Sequence, residues 1–317
     1  MSLYESVRAL ASTSAGDGSV DWNAVTEAAK AATTPGSLAM TPAEEEGYAS
    51  DVRDARARIR EVADLEFDVP RVVEVQNRHH WIDANVDTFR RVLDIFERQP
   101  RVFPGAARVV NTATMATTFS FLANNVLGQY DPLLLAEGAP DHRLYFVHPN
   151  VQRVARVLDV PEDRFRRWIA FHEVSHAAEF GAAPWLPEHL EAKMEAGLES
   201  LAHGGFDRHA FQELDTTMTA VEGYAELLMD HAFDDEYQDL RDKLEERRRG
   251  RTPLSRLLRR LLGMGLKRRQ YERGKAFFES VAASHGIATA NLVWERPENL
   301  PTAAELDDPG RWLARVA

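Results

Sequence analysis

The sequence predicts a mainly α protein with a small β element, and three observations carry that expectation. Apolar residues recur at helical spacing along most of the 317 residues. One stretch, Thr112–Leu127 (TATMATTFSFLANNVL), carries no charge and reads as a helix buried on most sides that stops near Gly128. A short apolar run, Leu144–Val147 (LYFV), is bounded by Asp141-His142 and Pro149-Asn150 and reads as a strand.

The helices can be taken in order. Two loop-like stretches, Ser12–Ser19 and Thr33–Thr41, flank a short helical pattern at Asp21–Ala32, so residues 1–40 read as a loosely attached arm. Thr41-Pro42-Ala43-Glu44 then supplies an N-cap, a proline at the first helical position and a capping-box glutamate. Tyr48, Val52, Ala55, Ile59 and Val62 follow as one apolar stripe. A second amphipathic helix runs through Trp81, Val86, Phe89, Leu93 and Phe96. Most of the remainder reads as helix, broken at Gly181–Pro187, Gly204-Gly205, Gly250–Pro253 and Gly263–Gly265. With no internal repeat and no long linker, residues 41–317 are expected to form a single helical domain.

Composition narrows the chemistry. There is no cysteine, which excludes disulfides, thiolate metal sites and a cysteine nucleophile; a zinc site must use histidine and carboxylate. The net charge of −12 speaks against a general nucleic-acid partner. No apolar run approaches the roughly 20 residues that span a bilayer, so no membrane partner is expected. The start, MSLYESVRALA, lacks a basic n-region and carries Glu5 and Arg8, and the expected compartment is the cytoplasm.

The chemistry is concentrated in His172-Glu173-Val174-Ser175-His176, an HExxH motif. Phe165, Ile169, His172, His176 and Glu179 recur at alternating steps of four and three, so both histidines continue the buried stripe of their helix. One helical turn apart on one face, their imidazoles can share a cation. Glu173 stands one position round the helix, where it can act on water and not on the metal. Two core histidines with ordinary partners would give the same spacing, but the inward position within an apolar stripe favours the metal.

Zinc needs a further protein ligand and an open position. In Met218–Asp230 (MTAVEGYAELLMD), Glu222, Glu226 and Asp230 form a row beside the apolar face marked by Val221, Ala225 and Leu228. Like charges at this spacing repel, and a nearby cation would relieve them. Glu222 is the expected third ligand, and Glu226 the expected carboxylate that orients a histidine through its other ring nitrogen. Glu179 and His189 are weaker rivals for the ligand position. A metzincin would need histidine at 182, where this chain has Ala182.

Four segments, FHEVSHAAEFGAAPWL (Phe171–Leu186), VLGQYDPLLL (Val126–Leu135), MTAVEGYAELLMD and LKRRQYERGKAFF (Leu266–Phe278), together resemble the zincin-like metallopeptidase type 2 family. The resemblance runs from about Pro70 to the C-terminus. Members of that family are described as hydrolases or as proteins associated with biosynthesis of the deazaflavin redox coenzyme. It implies a helical zincin-like metallopeptidase fold, with the metal motif on His172, Glu173 and His176 and the downstream acid on Glu222. Glu179 stands where relatives are expected to have glutamine.

The expected activity is hydrolysis of a peptide or amide by zinc-activated water, with Glu173 as general base. Leu144–Asn150 is the expected edge that receives an extended substrate, with His148 and Asn150 as substrate-binding candidates. His148 and His231 are candidates for an oxyanion donor, whereas Tyr224 points away from Glu222. Two other classes compete: a non-catalytic zinc-containing scaffold linked to deazaflavin metabolism, and an anion-binding protein. The latter draws on the basic segment from Arg247 to Lys275, in which Arg268 and Arg269 would recruit an acidic substrate. Ion pairing with the chain's own acids is the plainer account of that segment.

Overall fold

The structure, a computed structural model, describes residues 20–97, 104–131, 142–202, 208–233, 237–249 and 264–316. The described residues are mainly α, with one three-stranded sheet. None of their helices is long and apolar enough to cross a membrane. The chain divides into two compact units, the first comprising Met1–Met40, Val72–Arg153 and Glu195–Asp207, the second Thr41–Arg71, Val154–Met194 and Arg208–Ala317.

The first unit contains α1 (Trp22–Ala31), β1 (Val72–Gln76), α3 (Arg78–Glu97), α4 (Pro104–Asn125), β2 (Gly128–Asp131) and β3 (Arg143–Val147). The first turn of α5 (His148–Leu158) follows directly on β3. Asp21 caps α1 by accepting from the Ala24 amide at 3.1 Å. Far from being a loose arm, this helix buries Trp22, Val25 and Ala29 in a core shared with Trp81, Ile82, Phe119, Ala123 and Val147. The apolar side chains that α1 must remove from water are what dock it.

Two expectations are corrected in this unit. The charge-free stretch from Thr112 lies on helix α4, which ends at Asn125; it buries a single stripe, Thr112, Ala116, Phe119 and Ala123, while Thr114 and Thr117 face solvent. Thr114, Thr117 and Thr118 donate their hydroxyls to carbonyls one turn back, at 2.8, 2.8 and 2.9 Å. A threonine can therefore lie on a solvent face without a charge, and absence of charge does not mean burial. The run Leu144–Val147 is a strand, but a central one: β3 pairs with β1 in parallel and with β2 antiparallel. All four residues are buried, as a strand covered on both faces requires. With both edges paired, it cannot receive a substrate strand, and His148–Asn150 are already the first turn of α5.

The second unit holds α2 (Pro42–Ala63), α6 (Glu162–Ala182), α8 (Arg208–Ala232), α9 (Gln238–Arg249) and α10 (Met264–His285). Most of α7 (Leu186–Ala202) also belongs here. Thr41 and Glu44 close the capping box of α2, as expected. Its buried stripe packs against α6, and Asp51 within that stripe meets Arg166 of α6 at 2.7 Å, a buried charge offset by its partner. Helix α8 lies between α6 and α10 in contact terms, touching both. The C-terminal segment, with α11 (Ile287–Asn291), α12 (Ala303–Asp307) and α13 (Pro309–Val316), closes over α10. There Phe277, Phe278, Tyr224, Trp294 and Trp312 form an aromatic cluster with largely edge-on contacts.

Candidate metal centre

Helix α6 is buried on nearly every side. From Phe165 to Phe180 the only side chains not fully buried are Arg167, His172 and His176. Arg167 pairs with Asp54 at 2.7 Å. The two histidines are thus, with Arg167, the partly exposed positions in an otherwise buried stretch. The same pattern recurs on α8, where from Val221 to Asp230 only Glu222, Glu226 and Asp230 are partly exposed.

The packing of α6 against α8 brings the two openings together. His172, His176 and Glu222 each offer a ligand atom, and these atoms all lie within 4.8 Å of one another. His172 stacks on Trp168, with ring centroids 5.9 Å apart and planes within 3°. The two imidazoles meet edge to face at 4.7 Å. Glu222 Oε2 is buried and makes no hydrogen bond with a described residue. Two imidazoles and a carboxylate oxygen left without a partner suit zinc, and three protein ligands leave a position open, as hydrolytic zinc sites require. Glu173 is buried beside this set without belonging to it.

Sequence reasoning did not find the role of Glu179. Its carboxylate is fully buried, and Oε2 lies 2.8 Å from His176 Nδ1. Burial opposes a charge on His176, yet the hydrogen bond and charge of Glu179, with Glu222 and Glu173 beyond, hold its pKa above the usual imidazole value. The signal in the sequence was the i, i+3 spacing, which equally suits a ligand and so could not separate the two roles. Glu226 stands one turn beyond Glu222 and contributes to the field around Lys275. Asp230, the last of the acidic row, is neutralised by Arg241 at 2.5 Å and Lys275 at 2.7 Å.

The remaining candidates fall elsewhere. His189 lines a cleft with His209, Glu213, Thr216 and Pro301, outside the ligand group. His148 and Asn150 belong to the first unit, and both are buried. Asn150 accepts from Arg78 Nε at 2.8 Å and donates to the carbonyls of Ala123 and Val126 at 2.8 and 2.7 Å. His231 is held on its own helix, with Nδ1 2.9 Å from the Leu227 carbonyl. Tyr224 donates to Asn291 Oδ1 at 2.5 Å within the aromatic cluster. Of the basic segment, Lys275 and Arg273 pair with Asp230 and Asp307. The side chains of Arg247–Arg249, Arg268 and Arg269 lie outside the described residues, as do Arg251, Arg256, Arg259 and Arg260 altogether.

Two helices thus bring two imidazoles and a carboxylate close enough together to hold one metal ion. The comparisons with known proteins agree. The profile of the zincin-like metallopeptidase family matches residues 20–205 and 203–313, and the chain belongs to that family. It is also similar to a protein of known crystal structure, a "putative hydrolase with a novel fold" from Chloroflexus aurantiacus. The TM-score is 0.77 and the identity 30%, over 93% of this chain and 98% of the other. No curated protein matches the chain.

Proposed function

We propose that this protein is a zinc-dependent hydrolase of amide or peptide bonds, with His172, His176 and Glu222 as metal ligands and Glu173 as general base. The observation that carries the reading is the position of Glu222. A second helix places one of its carboxylate oxygens within 4.8 Å of a ring nitrogen of each histidine, and its Oε2 is buried without a hydrogen bond to a described residue. Left alone, such an oxygen costs the free energy of its lost hydration, and a cation offsets that cost.

When bound, zinc would supply a Lewis acid and bring the pKa of a water down toward about 7. His172 and His176 would hold the ion through ring nitrogens, the first held against Trp168 and the second against Glu179. Glu173 takes a proton from the attacking water and hands it to the leaving amine.

Glu173→Gln tests the catalytic part, because it keeps the shape and the ligands but removes the base. The zinc-loaded variant should bind as much zinc as the wild type and cleave members of a peptide library about 10²–10⁴-fold more slowly. Glu222→Ala should lose tight zinc binding, as read by metal analysis after dialysis. Full zinc retention in Glu222→Ala would remove it from the ligand set. Unchanged turnover in Glu173→Gln would assign the base to another group. A zinc-loaded wild type that cleaves nothing in the library would favour the non-catalytic zinc-binding class instead.

A further inference from the structure

We infer that Glu179 is a positioning residue of the metal centre, acting through His176 and not as a ligand. The inference rests on the zinc reading of His172, His176 and Glu222 and extends it to a group outside that set.

Three observations carry it. The first is geometric: Glu179 Oε2 lies 2.8 Å from His176 Nδ1, three residues on along the same helix face. An imidazole that donates Nδ1–H to a carboxylate has its lone pair on Nε2 alone, so the tautomer and the ring plane are fixed for a ligand at Nε2. The second is burial. The Glu179 side chain has no exposure, and its Oε1 is buried with no hydrogen bond to a described residue. A carboxylate taken fully out of water is costly, and a folded chain keeps it where a partner offsets the cost. The third is the company it keeps. Glu173 is buried beside it, and a Glu222 carboxylate oxygen lies within 4.8 Å of the ring nitrogens of both histidines, so the pair of imidazoles is surrounded by carboxylates.

Glu179 is at the same time barred from ligation. The oxygen nearest the histidines is committed to Nδ1, and the residue does not join the cluster of ligand atoms within 4.8 Å. Its contribution is to orient His176 without filling a coordination position.

The test compares the zinc dissociation constant of wild type, Glu179→Gln and Glu179→Ala by competition with a chromophoric chelator, with thermal unfolding of each metal-free protein alongside. Glu179→Ala should weaken zinc binding about 10–100-fold, the usual cost of removing a carboxylate behind a histidine ligand. Glu179→Gln retains an acceptor for Nδ1–H and should recover part of that loss, placing it between the other two. A lower melting temperature in Glu179→Ala with unchanged zinc affinity would make Glu179 merely structural and overturn the inference. So would a glutamine variant that binds zinc no better than the alanine variant, because the hydrogen-bonding route would then be empty. Absence of zinc binding by the wild type would instead strike the metal reading itself, and the inference with it.

Discussion

Glu305 and Arg315 form the clearest single-residue device for acid sensitivity in the second unit. Arg315 Nε reaches Glu305 Oε1 at 2.7 Å and its Nη2 reaches Oε2 at 2.9 Å, a two-pronged pair. The Arg315 hydrogen bond, against the opposing effect of burial, holds the Glu305 carboxyl down to about 2, from an ordinary 4.5. A depressed folded-state pKa means that the unfolded chain takes up the proton first as pH falls. The stabilisation is therefore complete above about 4.5 and fades as pH drops toward 2. Arg315→Ala should lower stability at neutral pH and flatten its decline between pH 5 and pH 2, as read by urea denaturation at a series of pH values. A parallel decline in wild type and variant would deny the pair that role.

Helix geometry rests on two glycines that face each other where α8 crosses α10. A Cβ on Gly223 would lie 2.3 Å from the Gly274 carbonyl carbon, and one on Gly274 would lie 2.2 Å from the Thr219 carbonyl oxygen. Both obstacles are backbone, which cannot swing aside as a side chain can. The glycines thus set the distance between the helices directly beside Glu222, on the neighbouring position of α8. Gly274→Ala should destabilise the protein by about 1–3 kcal/mol, the range for overpacking a close contact. A shift of the urea midpoint with an unchanged slope would be the expected reading. A variant as stable as wild type would show that the crossing is looser than these distances describe.

At the scale of the whole molecule, all three proposed zinc ligands fall within the second unit, on α6 and α8. Zinc that binds only the folded form stabilises it by mass action, about 4.1 kcal/mol at a free concentration 1,000 times its dissociation constant. Chelation should therefore lower the melting temperature, and adding zinc back should restore it. Glu222→Ala should melt at one temperature with or without zinc. With two compact units the melt need not be a single transition, and only the part that reports on the second unit should respond. Equal sensitivity to chelation in the Glu222→Ala variant would place the stabilising metal elsewhere.

The sequence by itself determined what depends on neighbours along the chain. Helical periodicity places His172 and His176 on one face, and the capping box starts α2 at Thr41, because both are set within a turn or two of backbone. The row Glu222, Glu226 and Asp230 could also be read as bordering an apolar face, with Glu222 as the member expected to meet the histidines. Tertiary structure alone decided the questions that involve distant segments. The strand at Leu144–Val147 is central because residues 72–76 and 128–131 arrive on either side of it, and its own apolar run does not name those partners. The uncharged Thr114 and Thr117 lie outside because α4 needs only one stripe to pack, while Trp22 and Val25 lie inside because α3 and α4 make a surface for them. Glu179 was visible at a helical step from His176, but spacing fixes only the separation of Cβ atoms. Whether the carboxylate binds the metal or the imidazole is set by rotamers and by the burial that α8 imposes, and these exist only once the helices are packed.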